Sequence, residues 1–283
     1  MENNTPLPLS LKQLRGSQSS SAEISVLVRV KNEAQAIPEF LRRLNRQHGR
    51  DNVELIFLDS GSTDGTLDLL GEEDCTLYQI APEDFQFGSS CNLLMSLSKA
   101  PVCVFVSGHV LLTDKMILKT VLERLSGDEA AALYLRQVPG ELFGSTAYER
   151  AYLARRFPEG KHAVALKDPG AFSNAASALT RSAWERTPFP AVAASEDFLW
   201  ARQHLESGGR LEYFPQLRVE HSHRESPQDV YRRVRINALS RGLDNSPGKA
   251  AKFFVGVLGA TLRHGASLPE ALRYAACHAR AYL

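Results

Sequence analysis

The chain has 283 residues, 43% hydrophobic and 23% charged, and its 33 Lys or Arg against 32 Asp or Glu leave a formal charge of +1. That length suits one large α/β domain with a substantial core, and the near-neutral balance offers no basic field for nucleic acid as the principal partner. Cys75, Cys91, Cys103 and Cys277 form no CxxC pair, which points to reduced thiols in a cytoplasmic protein rather than a disulfide frame or a zinc knuckle.

Residues 1–22 are polar and end in GSQSSSA, a composition that does not offset the entropy of ordering, so a flexible leader is expected. No signal-peptide pattern is present and no apolar run reaches membrane-spanning length, so the expectation is a soluble chain or one attached to a membrane surface. Ile24 to Val30 and Val53 to Leu58 are β-branched apolar runs suited to buried parallel strands. Between them Ile37, Phe40, Leu41 and Leu44 fall on one helical face, which makes a right-handed βαβ unit. Ligands of such a sheet sit beyond the carboxyl ends of its strands. Both ends are polar: Arg29, Lys31, Asn32 and Glu33 after the first, and DSGSTDGT from Asp59 to Thr66 after the second.

Further along, Thr66 to Leu70 reads as a helix, Cys75 to Ile80 as a strand and Pro82 to Phe87 as a loop. Gly88 to Ala100 reads as a helix closed by Pro101, and VCVFV over Val102 to Val106 as the most central strand. A helix over 114–126, a strand over Ala130 to Val138 and a helix over Tyr148 to Phe157 follow. Ala163 to Ala178 is rich in small residues and is expected to be irregular. Glu196 to Glu206 is a helix opening with two acids, and Arg210 to Phe214 and Leu217 to Glu220 are short strands leading to His221-Ser222-His223. From Ser226 the pattern is helical, with a break at Asn245-Ser246-Pro247-Gly248. From Tyr231 onward nine Lys or Arg face two acids.

Taken singly these motifs are weak, because Asp, Ser and Gly are ordinary turn formers and two acids suit any helix N-terminus. Their order is specific. RVKNE, FLDSGSTDGT, FGSSCN, a strand ending in a short polar triplet, FSNAASALTRSAW, SEDFLWARQHLESG and HSH together resemble the family 2 GT-A glycosyltransferases, most of all their rhamnosyltransferase-like members. The resemblance runs from about Ile24 to Arg241. It implies a GT-A, Rossmann-like fold with a mostly parallel central sheet flanked by helices over residues 23–225, and a basic helical tail over 226–283. It also implies a nucleotide-diphosphate sugar donor, a divalent metal (Mn²⁺ or Mg²⁺), inversion at the anomeric carbon and a glycan or lipid-linked acceptor.

Carried over, Arg29, Lys31, Asn32 and Glu33 surround the base and ribose, and Asp59 accepts from the base within a loop that includes Gly61, Ser62 and Asp64. Asn92 and Ser107 lie near the donor pocket. Glu196-Asp197 supplies the base for the acceptor hydroxyl, with the role on Asp197. Where the family has an Asp-any-Asp metal triplet, this chain has Ser107-Gly108-His109. That leaves, in order of preference, a His-containing metal site, a metal-independent transferase, or an inactive nucleotide-sugar-binding partner or scaffold. His221 and His223, two apart on an extended stretch, point to one side and, with Arg224, are candidates to face metal or diphosphate. Trp184 and Trp200 offer a sugar platform, although Trp200 is expected in the core. The basic and apolar tail fits a membrane surface, a dimer face or a helix that closes the core. A dinucleotide oxidoreductase ranks low, since no GxGxxG follows the first strand.

Overall fold

A computed structural model of the chain describes residues 8, 10–16, 22–127, 131–243 and 246–283. Strands β1 (Lys12–Arg15), β2 (Ile24–Val30), β3 (Val53–Asp59), β4 (Thr76–Gln79), β5 (Val102–Ser107), β6 (Leu111–Leu112), β7 (Ala131–Val138), β8 (Val164–Ala165), β9 (Ala176–Thr180) and β10 (Arg210–Glu220) form one sheet. Its order is β1-β4-β3-β2-β5-β9-β7-β10-β6, with β8 added beside β10. The central strands are mostly parallel: β4, β3, β2 and β5 run together, as do β7 and β10, and antiparallel β9 joins the two blocks.

The apolar runs bury both faces because their side chains alternate. Val26, Val28 and Val30 of β2, Leu55 and Phe57 of β3, and Val104 and Val106 of β5 enter one core cluster. Leu27, Ile56, Leu58, Cys103 and Phe105 enter the other. Helices α1 (Ile37–Leu44), α2 (Thr66–Gly71) and α4 (Ile117–Leu125) cover the first face, and α3 (Phe87–Leu97), α6 (Arg181–Arg186) and α7 (Glu196–Glu206) the second. The predicted Ile37, Phe40, Leu41 and Leu44 are the buried positions of α1, and the Phe40 ring meets Phe57 edge-on at 6.1 Å. Each such side chain contributes about 1.5–3 kcal/mol by leaving water.

A third cluster joins α5 (Ala147–Arg156) to the terminal helices α8 (Pro227–Ser240), α9 (Pro247–Arg263) and α10 (Leu268–Arg280) through Tyr148, Val230, Val234, Val257 and Tyr274. Tyr148 and Tyr274 stack at 5.0 Å.

The structure departs from the sequence reading at four points. Lys12–Arg15, within the expected leader, pairs as an edge strand with β4, while residues 1–7, 9 and 17–21 lie outside the described residues. Ala176–Thr180, whose first three residues close the stretch expected to be irregular, is the fully buried strand β9, held by partners on both sides. Its small residues fit because the sheet, not strand propensity, decides. Arg210 to Glu220 is one strand rather than two. Pro215 lacks an N–H, and the pairing with β7 shifts between Phe214 and Arg218. Trp184, offered as a sugar platform, is buried with its indole N–H bonded to Asn92 Oδ1, whereas Trp200 is buried as expected, its N–H bonded to Thr187 O. Ala130, placed in a strand from sequence, and Asn245, placed in a break, lie outside the described residues.

Candidate active site

β2 lies between β3 and β5, so the direction of strand succession reverses there, the position at which open α/β sheets bind ligands. Arg29 pairs with Leu58 on one side and Ser107 on the other. Beyond them the loops after β2 and β3 are tied together. Asn32, in a left-handed conformation (φ 56°), accepts from Thr63 N at 2.8 Å, and its own N–H donates to Ser62 Oγ at 2.8 Å. Asp64 accepts from Ala34 N at 3.0 Å and from the Thr66 hydroxyl at 2.6 Å. Asp59 is fully buried and accepts from Gly61 N (2.9 Å), Ser62 N (3.1 Å), the Ser62 hydroxyl and Gln79 Nε2 (2.9 Å). At Gly61 a side chain is doubly excluded: φ is +87°, and a Cβ would stand 2.6 Å from Pro82.

The turn after β5 carries His109. β6 pairs antiparallel with the end of β10, Leu111 opposite Glu220, which sets His109 against the residues that follow β10. His109 Nε2 lies 3.3 Å from His221 Nε2, and His221 Nε2 lies 2.7 Å from His223 Nε2. The far nitrogens of two rings are also held: His109 Nδ1 lies 2.6 Å from Glu33 Oε1 and His221 Nδ1 2.6 Å from Gln137 Oε1. Burial first, then the His223 and His109 imidazoles and Arg233, hold His221 well below the ordinary imidazole range. Burial, His109 and Arg233 lower His223 to about 3. Both rings are therefore neutral at physiological pH.

Opposite stands the start of α7. Ser195 precedes it with φ 61°, donates to Asn237 Oδ1 at 3.0 Å and accepts from Arg241 Nε at 2.9 Å, which holds this turn to α8 and the residue after it. Glu196 is buried, with Oε1 3.4 Å from Arg29 Nη1 and 3.5 Å from Asn174 Nδ2. Asp197 faces the cleft. Burial first and the Glu196 charge second raise its carboxyl above the ordinary range, against the Phe198 N–H that it accepts at 2.7 Å and the Arg241 and Arg29 charges. The Cys91 thiol behind this wall is pushed up to about 12, chiefly by burial, and Cys75 and Cys103 to about 11 for the same reason, so none is a nucleophile.

Residues 25–186, more than half of the chain, match Glycosyl transferase family 2. The chain belongs to this family. Curated relatives include the O-antigen chain rhamnosyltransferase WbaN of Salmonella anatum, 27% identical over 192 residues, which covers 64% of this chain and 60% of that protein. Another is the O-antigen chain rhamnosyltransferase RfbN of Salmonella typhimurium, 25% identical over 224 residues and covering 75% and 70%. Among solved structures, the mannosyltransferase PcManGT of Pyrobaculum calidifontis with GDP-Man and Mn²⁺ matches at TM-score 0.57 and 18% identity, over 94% of this chain and 77% of that one. S. aureus TarS with UDP-GlcNAc matches at TM-score 0.55 and 16% identity, over 92% and 89%. These likenesses establish the GT-A fold.

In this family 2 chain a cleft of ≈ 620 Å³ brings together Arg29, Ser107, His109, Glu196, Asp197, His221 and His223. Glu33 stands behind His109. Lys31, Asn32, Asp59, Gly61, Ser62 and Asp64 form the adjoining edge outside that cleft, and Asp59, expected to accept from a base, is engaged by its own loop. Asn92 does not face the pocket: its amide is bonded to Phe189 O, Phe189 N and Trp184. Arg224 is exposed and lines no part of the cleft. Among the described residues, the cations that line it besides Arg29 are Arg156 of α5 and Arg233 and Arg241 on or just after α8. Asp229, Arg233, Asn237 and Arg241 recur every four residues and all line the cleft, a polar stripe at helical spacing that was visible in the sequence.

Proposed function

We propose that the chain is an inverting glycosyltransferase that moves a hexose or deoxyhexose from a nucleotide-diphosphate sugar to a hydroxyl of a glycan or glycolipid acceptor. The O-antigen rhamnosyltransferases among its relatives and the sugar nucleotides bound by its structural neighbours support this reading. The observation that carries it is Asp197, a carboxylate of raised basicity on the wall of a cleft whose other wall is cationic and imidazole-rich. In this reading Asp197 takes the proton of the acceptor hydroxyl as that oxygen bonds to the anomeric carbon. The bond from that carbon to the diphosphate oxygen breaks on the opposite face, and its electron pair departs with the nucleoside diphosphate. A carboxylate whose proton affinity has been raised accepts that proton more readily than a surface Asp. Glu196, fixed by Arg29, is a positioning residue that keeps the Asp197 affinity high. Arg29 and Lys31, with the loops shaped by Asn32, Asp59 and Asp64, hold the nucleotide end. Ser107 lies where that end meets the cleft.

The fold family implies a divalent cation at the diphosphate. A hard-cation cage does not fit the triplet, since Ser107-Gly108-His109 brings no carboxylate; the imidazoles of His109, His221 and His223 fit a borderline cation instead. A bound cation would supply Lewis-acid stabilisation of the departing diphosphate.

The division into a GT-A unit over 23–225 and a helical tail over 226–283 belongs to the same proposal, as does a place at the cytoplasmic face of a membrane. Among the described residues no helix is long and apolar enough to cross a membrane. Exposed Leu239, Val255, Leu268 and Leu272 on the terminal helices support a contact of that region with a membrane surface or a second copy.

The test is thermal stabilisation of the full chain by UDP-, GDP- and dTDP-sugars, followed by donor turnover. Asp197→Asn is expected to keep the stabilisation and lose turnover by about 10²–10⁴-fold. Equal turnover in the variant removes Asp197 from the base role, and stabilisation without turnover in the parent protein leaves a binding partner.

A further inference from the structure

Three imidazole nitrogens converge at the centre of the cleft. Glu33 Oε1 and Gln137 Oε1 are acceptors, so the hydrogens of His109 and His221 belong on their Nδ1 atoms, 2.6 Å away in each case. The two Nε2 atoms face each other at 3.3 Å. His223 Nε2 stands 2.7 Å from His221 Nε2 and can carry at most one hydrogen into the group. The ligand atoms of the three rings all lie within 4.8 Å of one another. Three imidazole nitrogens that converge in this way form a ready set of ligands for a cation between them. Tetrahedral coordination at roughly 2.0–2.1 Å from metal to nitrogen sets ligand nitrogens about 3.3 Å apart, the separation of His109 from His221, and a metal would draw His223 from 2.7 Å to the same spacing.

We propose that His109, His221 and His223 form a three-nitrogen site for a borderline first-row dication of the Zn²⁺ or Co²⁺ type, which does not take Mg²⁺. Imidazole favours such ions, whereas Mg²⁺ requires oxygen donors and brings its own water. Glu33 and Gln137 are the positioning residues. Each holds a ring by its far nitrogen, an arrangement that fixes the tautomer and strengthens the ligand. Gly108 allows the geometry, because a Cβ there would stand 2.7 Å from Val30 Cγ1 and 3.2 Å from Glu33 Cγ. The fourth position opens on the cleft, where all three imidazoles are lining residues. In the glycosyltransferase reading a diphosphate oxygen fills it, and that assignment alone rests on the reading above.

The experiment uses Co²⁺ alone, with no sugar nucleotide. The full chain, stripped with a chelator and exchanged into metal-free buffer, is titrated with Co²⁺ and followed by visible absorption. One equivalent is expected to give the intense band of a four-coordinate cobalt site. Stoichiometric Zn²⁺ abolishes the band, and a hundredfold excess of Mg²⁺ leaves it in place. His223→Ala, just beyond β10, loses the band while circular dichroism shows the fold retained. Glu33→Gln keeps the band and weakens Co²⁺ about 10–100-fold, an effect specific to an orienting carboxylate. No band at stoichiometric Co²⁺, displacement by Mg²⁺, or an unchanged band in folded His223→Ala overturns the proposal. Failure of all sugar nucleotides to stabilise the chain would sink the transferase reading and leave this result untouched.

Discussion

The edge formed by the loops after β2 and β3 and the wall of the cleft use the same kinds of side chain in opposite ways. At the edge, polar groups bond one another. Asn32 holds Ser62 and Thr63, Asp64 holds Ala34 and Thr66, and Asp59 collects Gly61, Ser62 and Gln79. In the cleft, like is set against like. Glu196 raises Asp197, Arg156 works with burial to lower Arg241, and three imidazoles converge. Two cleft-lining atoms, Gln137 Nε2 and Arg156 Nε, are buried without a partner. Satisfied networks rigidify a frame, while unsatisfied ones cost stability that a ligand can return. The edge is the frame, and the cleft is what the frame holds open.

The largest expected effect separates activity from stability at Asp197. Asp197→Asn should lower turnover by about 10²–10⁴-fold while leaving the fold as stable as the parent or more so. A carboxyl whose folded pKa is raised contributes stability below its unfolded pKa and loses that contribution as pH rises through the folded value. The parent should therefore lose melting temperature, relative to the variant, as pH climbs past the ordinary carboxylate range, and its turnover should rise over the same interval. A pH-independent difference between the two melting curves would show that Asp197 is not raised.

Asp59 should behave in the opposite manner. Asp59→Ala leaves Gly61 N–H, Ser62 N–H and Gln79 Nε2 without their acceptor, and unfolding in urea should reveal a loss of about 2–4 kcal/mol. Sugar-nucleotide affinity falls as a consequence of the disordered edge. If stability holds and only affinity falls, Asp59 is a ligand contact after all and the comparison of edge with cleft fails.

Arg241 lies between these cases. Its Nε reaches Ser195 Oγ at 2.9 Å and its guanidinium lies 4.1 Å over the Phe198 ring, so it both braces the turn before Asp197 and faces the cleft. Arg241→Ala should raise the acceptor KM about 10-fold or more and cost about 1 kcal/mol of stability through the lost hydrogen bond and ring contact. Unchanged acceptor kinetics would confine it to bracing.

Why the edge was legible in the sequence and the cleft only partly follows from the same contrast. β2, α1 and β3 announce themselves through alternation and one apolar helical face, and DSGSTDGT is contiguous, so local chemistry sufficed. His109, His221 and His223 could be named as a group, but their meeting depends on β6 pairing with the end of β10, and a two-residue strand has no pattern of its own. Arg233 and Arg241 were read as part of a basic tail because a polar stripe on a helix looks alike whether it faces water or a cleft. Arg224 is the cation that adjacency to His223 suggests. Its left-handed backbone (φ 51°) instead leaves it exposed and away from the cleft. Asn92 was misplaced for a related reason: α3 turns its amide inward to Trp184 and Phe189, which are distant in sequence.

Lys31 gives the smallest expected effect and the finest discrimination. It is exposed at the end of β2, so Lys31→Ala should change stability by no more than about 0.5 kcal/mol. If the edge carries the nucleotide, the same substitution removes one positive charge near the donor and weakens sugar-nucleotide binding severalfold, more at low salt than at high, because an exposed charge is screened within about 10 Å at 0.1 M. Measured by titration at two ionic strengths, a salt-dependent loss with an unchanged melting curve assigns Lys31 to the donor. A loss equal at both strengths points to a side-chain contact rather than a field, and no loss at either removes Lys31 from the nucleotide end and leaves Arg29 as its cation.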